Sequence, residues 1–192
     1  MGFSAVLDTC VLWPSLQRDF LLSLAAERLY QPLWSTAILT ELAHHEAIKL
    51  RTREGLDESG AQAKAEHLIA QMSSAFDGAM VVGWEPLEGT YGLADVDDEH
   101  VLAAAVVGGA GAIVTDNLRH LDVPQVPAHI QVLSSREFIT DTVDLNPPAA
   151  AEALRQIARR HQSPPHTPEE LLDLLEQRYG LSEVVEIIRA EL

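Results

Sequence analysis

Four acidic stations lie far apart along the chain: Asp8, Glu41, the Asp97-Asp98 pair and Asp116. Asp8 closes the apolar run Phe3-Ser4-Ala5-Val6-Leu7, and Asp116 closes Ala112-Ile113-Val114-Thr115. Carboxylates at strand ends point into the crevice where open α/β sheets bind ligands. Anions gathered there raise one another's pKa unless a divalent cation neutralises them. An all-oxygen donor set from Asp8, Glu41, Asp98 and Asp116 suits Mg2+ or Mn2+. Such ions activate water and stabilise both oxygens of a phosphoryl transfer, so the expected chemistry is phosphodiester hydrolysis. Singly, each acid has a simpler role, such as ending a strand, pairing along a helix, capping or turning. Their joint placement is what points to a metal centre.

The elements that must position these acids alternate between strand and helix. After the first strand, Pro14 suits a helix's first turn, and Leu16, Phe20 and Leu24 repeat at the spacing of one buried face. Residues 30–34 form a second apolar run, and Ser35 is placed to cap a helix carrying Ile38, Leu39, Leu42 and Ala43, with Glu41 in its second turn. A polar segment over 51–59 with Gly55 is expected to turn, before an amphipathic helix marked by Ala61, Ala65, Leu68, Met72 and Phe76. Met80-Val81-Val82 reads as a third short strand. The acidic run from Asp95 to Glu99 leads into a helix ended by Gly108-Gly109, and strands follow at 112–115 and 130–133. Ser134 and Glu137 have capping-box spacing.

This alternation predicts an α/β fold, a parallel sheet covered by helices on both faces. Beyond about Leu145 only helical signals remain: Asn146-Pro147-Pro148 opens one helix, Pro164-Pro165 interrupts, Thr167-Pro168-Glu169-Glu170 caps another, and Gly180 closes it before a last helix. Two units are expected, a nuclease-like domain over residues 1–144 and a helical extension over 145–192.

With 47% hydrophobic residues over 192 positions the chain can bury a real core. No run is long enough to span a bilayer and no leader pattern opens the chain, so a cytoplasmic protein is expected. The single cysteine, Cys10, rules out an internal disulfide and reads as a small buried hydrophobe. A net charge of −16 argues against a general nucleic-acid binder, because phosphate binding draws on cations. A local basic surface has two sources, Lys49, Arg51 and Arg53, and the later Arg155, Arg159 and Arg160; either is also explained as a solvated helix face.

Among the histidines, His45 shares a helical face with Glu41 at i,i+4 and could meet substrate phosphate. His100 is expected to pack or cap. No HExxH spacing and no Cys/His cluster supports zinc. A haloacid-dehalogenase-like phosphohydrolase needs a second Asp two residues after the first, where this chain has Cys10. A dinucleotide-binding fold needs its glycines after the first strand, whereas Gly108 to Gly111 follow a helix and precede a strand.

The segments Val6-Leu7-Asp8-Thr9, Thr40-Glu41-Leu42, residues 97–105 (Asp-Asp-Glu-His-Val-Leu-Ala-Ala-Ala) and Ile113-Val114-Thr115-Asp116-Asn117-Leu118-Arg119 resemble PIN-domain ribonucleases, above all VapC-type toxins of toxin–antitoxin pairs. The resemblance covers roughly residues 3 to 140, and the helical tail resembles an extension found in one branch. It implies a PIN-like three-layer α/β/α fold and a Mg2+- or Mn2+-dependent site that cuts single-stranded RNA. By position Asp8, Glu41 and Asp98 become the acids, with Asp97 competing for the third station. At the fourth, the family's usual place two residues after the threonine falls on Asn117, with Asp116 between, and the acid that often follows is replaced by His120. Thr9 and Thr115 would orient a ligand or water. A cognate antitoxin bringing a basic side chain to the acids and a homodimer are further implications. The competing expectation is a PIN-like binding module with little nuclease activity.

Overall fold

Strand β1 (Ser4–Leu7) lies inside a four-stranded sheet of order β2-β1-β3-β4, completed by β2 (Gln31–Leu33), β3 (Ala112–Val114) and β4 (Gln131–Leu133). All pairings are parallel, with Val6 in register with Leu33 on one side and Ile113 on the other. The computed structural model describes residues 2–121, 123–160 and 165–192. Parallel strands buried on both faces need uniformly apolar side chains, and Ala5, Val6, Leu7, Ala112, Ile113 and Val114 are fully enclosed.

The chain leaves β1 for β2 on one side and later crosses to β3 on the other, so the strand order reverses between β1 and β3. Ligand crevices of open α/β sheets form at such a reversal, beyond the carboxyl ends of the strands. Asp8 and the 115–117 segment are the residues that emerge there.

A short helix α1 (Thr9–Leu12) follows Asp8 directly, and Pro14 stands as the N-cap of α2 (Ser15–Ala26) rather than inside its first turn. Ser35 caps α3 (Thr36–Glu54), its hydroxyl accepting from the Ile38 N–H at 3.2 Å. This helix runs on to Glu54 before Gly55, at φ 68°, ends it; the polar residues expected to turn are its exposed last turns. Helices α4 (Glu58–Ala75) and α5 (Glu99–Gly108) pack with α3 as one layer, and Gly109 at φ 62° terminates α5.

The expected strand at 80–82 is reduced to a single parallel bridge between Trp34 and Met80. Val81 turns inward, but Val82 is 74% exposed and Gly83 takes φ 78°, so the chain leaves the sheet before a second pair can form. Beyond β3 come the single turn α6 (Leu118–Leu121) and, after β4, α7 (Ser135–Leu145), which opens with a complete Ser134/Glu137 capping box.

Helices α8 (Pro147–Arg160), α9 (Pro168–Tyr179) and α10 (Ser182–Arg189) follow. The Thr167/Glu170 box starts α9 and Gly180 ends it; of the expected Pro164-Pro165 break, Pro164 lies outside the described residues. These helices join α2 and α7 as the second layer. Ala150, Leu154, Leu172, Val184 and Ile188 belong to the same continuous core as Val6 and Phe20. The architecture is therefore a three-layer α/β/α sandwich with C-terminal helices built onto one layer. Among the described residues no helix is long and apolar enough to cross a membrane.

Candidate active site

Asp8, Glu41, Asp98 and Asn117 line one cleft of about 460 Å³, together with Thr9, Cys10, Trp13 and His45. Each arrives on a different element: Asp8 from the end of β1, Glu41 from the second turn of α3, Asp98 from the N-cap of α5, and Asn117 from the segment after β3.

Asp8 is 6% exposed, a costly setting for a carboxylate. Its Oδ2 accepts from the fully buried Thr115 hydroxyl at 2.6 Å and from Cys10 Sγ at 3.2 Å. Burial, and then the Asp8 charge, push the Cys10 thiol up to about 12. Cys10 reaches solvent as a residue, yet its sulfur touches Asp8, the Thr115 hydroxyl at 3.4 Å and the Asp116 N–H at 3.3 Å. It is a thiol donor to Asp8 rather than a thiolate, and not the inert buried hydrophobe expected.

Glu41 accepts from Thr9 Oγ1 at 2.8 Å and faces His100 Nε2 at 3.3 Å. The bond to His100 first, and that to Thr9, hold its carboxyl below the usual range although burial opposes them. Burial works against charge on His100, but the bond to Glu41, the Glu41 charge, Asp8 and Glu88 together raise its pKa. His100, expected only to pack or cap, is thus a direct partner of Glu41.

Asp98 Oδ2 accepts from Asn117 Nδ2 at 3.0 Å and meets His120 Nδ1 at 2.7 Å. Burial raises the Asp98 pKa, the Asp8 and Asp95 charges add to that, and His120 offsets part of it. Asp97 is exposed and absent from the cleft wall, so the acidic doublet separates by direction of side chain. The next acid, Glu99, is 1% exposed and accepts from the backbone N–H groups of Tyr91, Gly92 and Leu93 at 2.8 to 3.2 Å; it ties down the preceding loop.

Asp116 departs from expectation. Its Oδ1 accepts from the Ser135 N–H at 2.9 Å and its Oδ2 from the Ser135 hydroxyl at 3.1 Å. The side chain therefore serves the start of α7, where first-turn N–H groups lack helical partners, and Asn117 stands at the cleft instead. Of the basic residues, Lys49 and Arg53 line a neighbouring hollow, whereas Arg51 lines a separate depression with Ile48, Thr52 and Leu56. His45 does reach the cleft, and His44 lines another groove between α3 and α4.

The donor set is hard oxygen, and Asp8 forms no ion pair among the described residues. These residues fit a divalent cation, though not as a tight cage. The one group of three potential ligands within 4.8 Å of one another among the described residues is Asp95, Asp98 and His120, not Asp8, Glu41 and Asp98. The wider spacing suits an ion that keeps several of its waters and takes only one or two carboxylates.

Comparison with known proteins bears on this arrangement. The PIN domain profile matches residues 4–119, and the profile of the VapC50 C-terminal domain matches residues 137–190. A protein named "Putative ribonuclease VapC50" from Mycobacterium tuberculosis (strain ATCC 25618 / H37Rv) is 40% identical over 79 residues, which are 41% of this chain and 47% of the relative. The chain thus aligns with about half the length of that relative. No solved structure matches the chain significantly. With well over half of its length accounted for by the first profile and with Asp8, Glu41 and Asp98 gathered in one cleft beyond the end of β1, the chain belongs to the PIN-domain family.

Proposed function

We propose that the protein is a divalent-metal-dependent endoribonuclease and the toxin of a toxin–antitoxin pair. One observation carries this reading: carboxylates from three remote segments, Asp8, Glu41 and Asp98, share a single cleft at the point where the strand order reverses. The relative's name, that of a ribonuclease, supports the same chemistry.

In this reading Asp8 and Asp98 hold Mg2+ or Mn2+, with Glu41 and Asn117 completing the wall. When bound, the ion lowers the pKa of water and offsets charge on the phosphate. Thr115 and Cys10 fix the Asp8 carboxylate, Asn117 and His120 fix Asp98, and Thr9 with His100 fixes Glu41. Glu41, kept ionised by its partners, is a poor proton acceptor and acts as an anchor. Asp116 positions the 115–117 segment through Ser135. A cognate antitoxin would bring a basic side chain to the acids, the complement of a chain carrying −16.

Cleavage of single-stranded RNA with Mg2+ or Mn2+, compared between the wild type and the Asp8→Asn and Asp98→Asn variants, tests the assignment. Both variants should lose activity while keeping the wild-type circular dichroism. Undiminished cleavage by either one sinks the reading.

A second reading has its own observation. His120 on Asp98 and His100 on Glu41 already partner two of the three acids, so a binding module that needs no ion is a coherent alternative. Calorimetric titration with Mg2+ and Mn2+ separates the two, since the module takes up neither.

A further inference from the structure

The stripe Glu41, His45, Lys49 and Arg53 recurs every four residues along α3 and so lies on one face of the helix. Its first two members line the acidic cleft and its last two line an adjoining hollow of about 400 Å³. Trp13 is common to both walls. At 1.5 Å of rise per residue, Lys49 and Arg53 stand roughly 12 and 18 Å along the helix from Glu41, a reach of a few nucleotides.

The charge of this hollow runs against that of the chain. In a protein of net charge −16, its lining contains Lys49, Arg53 and Arg178 and no acid. Lys49 is partnered: it bonds Ser15 Oγ at 2.9 Å and Glu46, which also meets Arg18 at 3.7 Å, so two cations share one buried carboxylate. Arg53 and Arg178 form no ion pair among the described residues. The Arg53 guanidinium lies 5.6 Å and Lys49 Nζ 5.9 Å from the Trp13 ring centroid, a cation–π arrangement that holds both cations between cleft and hollow. Arg178 comes from the last turn of α9, in the C-terminal helices, where a basic residue complements the helix dipole; that accounts for its charge but not for its meeting Arg53 across one cavity. Cations from two distant segments lining one hollow without acids suit an anion.

We propose that this hollow is the backbone subsite for single-stranded RNA leaving the acidic cleft, with Arg53 and Arg178 each holding a phosphate and Trp13 as the positioning residue between the two sites. The proposal rests on the ribonuclease reading and gives the C-terminal helices a task in it: through Arg178 they supply one wall of the substrate path. Basic grooves that track the backbone beside aromatic rings are the usual design for sequence-tolerant single-strand binding.

The test uses the full chain and a labelled single-stranded RNA of about twelve nucleotides. Fluorescence anisotropy over a salt series is recorded in chelator, so that nothing is cut. Arg53→Ala and Arg178→Ala should each weaken binding about fivefold. Each should also lower the slope of log affinity against log salt by about 0.7, one single-strand phosphate contact. Arg178→Lys should recover part of the loss, and Arg155→Glu, on α8 outside the hollow, should change little. With Mg2+, both alanine variants should raise KM for this RNA with kcat near wild type. Wild-type affinity and slope in Arg53→Ala and Arg178→Ala overturn the subsite while leaving the ribonuclease standing, as does an equal loss in Arg155→Glu. If the wild type neither cuts nor binds RNA, the ribonuclease reading falls and the subsite with it. A preference for duplex over single strand likewise overturns the proposal.

Discussion

Asp116 and Ser135 are joined by two hydrogen bonds, from the Ser135 N–H at 2.9 Å and its hydroxyl at 3.1 Å to the two carboxylate oxygens. A carboxylate at a helix start satisfies an orphan donor and meets the positive end of the dipole. Asp116→Ala should therefore cost about 1 kcal/mol of stability, as loss of a helix cap does. Metal affinity should fall far less than in Asp98→Asn. Thermal melts paired with calorimetry check both halves; a variant of wild-type stability that no longer takes up metal reverses the assignment.

The bond from Thr115 to Asp8 spans 107 positions of sequence and is wholly buried. Thr115→Val keeps the shape and removes the donor. Groups that orient a metal ligand typically change affinity by 10- to 100-fold when lost, so a decrease of about tenfold in Mg2+ affinity is expected, with Thr115→Ser close to wild type. Equal titrations for the two variants would remove Thr115 from the site.

The Glu41–His100 pair makes stability depend on pH in a definite window. Glu41 is depressed below 4.5, so its contribution is complete above that value and fades as pH falls through the lower folded pKa. His100 is raised above 6.5, so its contribution is complete below that value and fades as pH rises through the higher folded pKa. The difference in Tm between wild type and Glu41→Gln should be widest between pH 4.5 and 6.5 and should narrow on both sides. A difference flat from pH 4 to 9 would show that the pair is not ionic.

Burial and the Asp8 charge make the Asp98 carboxylate a source of strain at neutral pH. In chelator, Asp98→Asn should raise Tm by no more than about 3 °C, what 1 kcal/mol is worth in a chain of this size, because water screens the part-exposed group. Added Mg2+ should stabilise the wild type and leave the variant unchanged. Scanning calorimetry with and without Mg2+ measures both.

Cys10 offers a direct probe of the cleft. With its pKa moved from 9.0 to about 12, its thiolate fraction at pH 8 falls about a thousandfold, the power of ten given by that shift. Alkylation by iodoacetamide should be slower in the folded protein by a comparable factor than in denaturant. As the chain's single cysteine, it makes the rate unambiguous.

Much of this arrangement was legible in the chain. The cap at Ser35, the boxes at Ser134 and Thr167 and the glycine stops at 109 and 180 are local chemistry, and each forms as read. The strand at 80–82 misled because periodicity cannot see that Gly83 turns the chain away after one bridge. Asp8, Glu41 and Asp98 could be gathered from their positions at element ends, whereas Asp116 could not be excluded, because only the meeting of two loops shows that Ser135 claims it. His100 and His120 were underread for a related reason. His100 follows an acidic run and reads as a residue that packs or caps, and His120 reads only as standing where the family often has an acid, but each partners an acid that another segment brings. The basic hollow was half visible: Lys49 and Arg53 share a stripe, but nothing local announces Arg178, which arrives from the far end of the chain.

One core runs from β1 through α2 into α8, α9 and α10, and Arg160 ties the junction by donating to Ser23 Oγ at 2.6 Å. During synthesis, α2 must therefore wait with one side bare until more than a hundred further residues have left the ribosome. A domain folds as a unit, so the cleft lined by Asp8, Glu41, Asp98 and Asn117, although every one of those residues precedes α7, is expected to settle only once the helices that complete this core are available to pack.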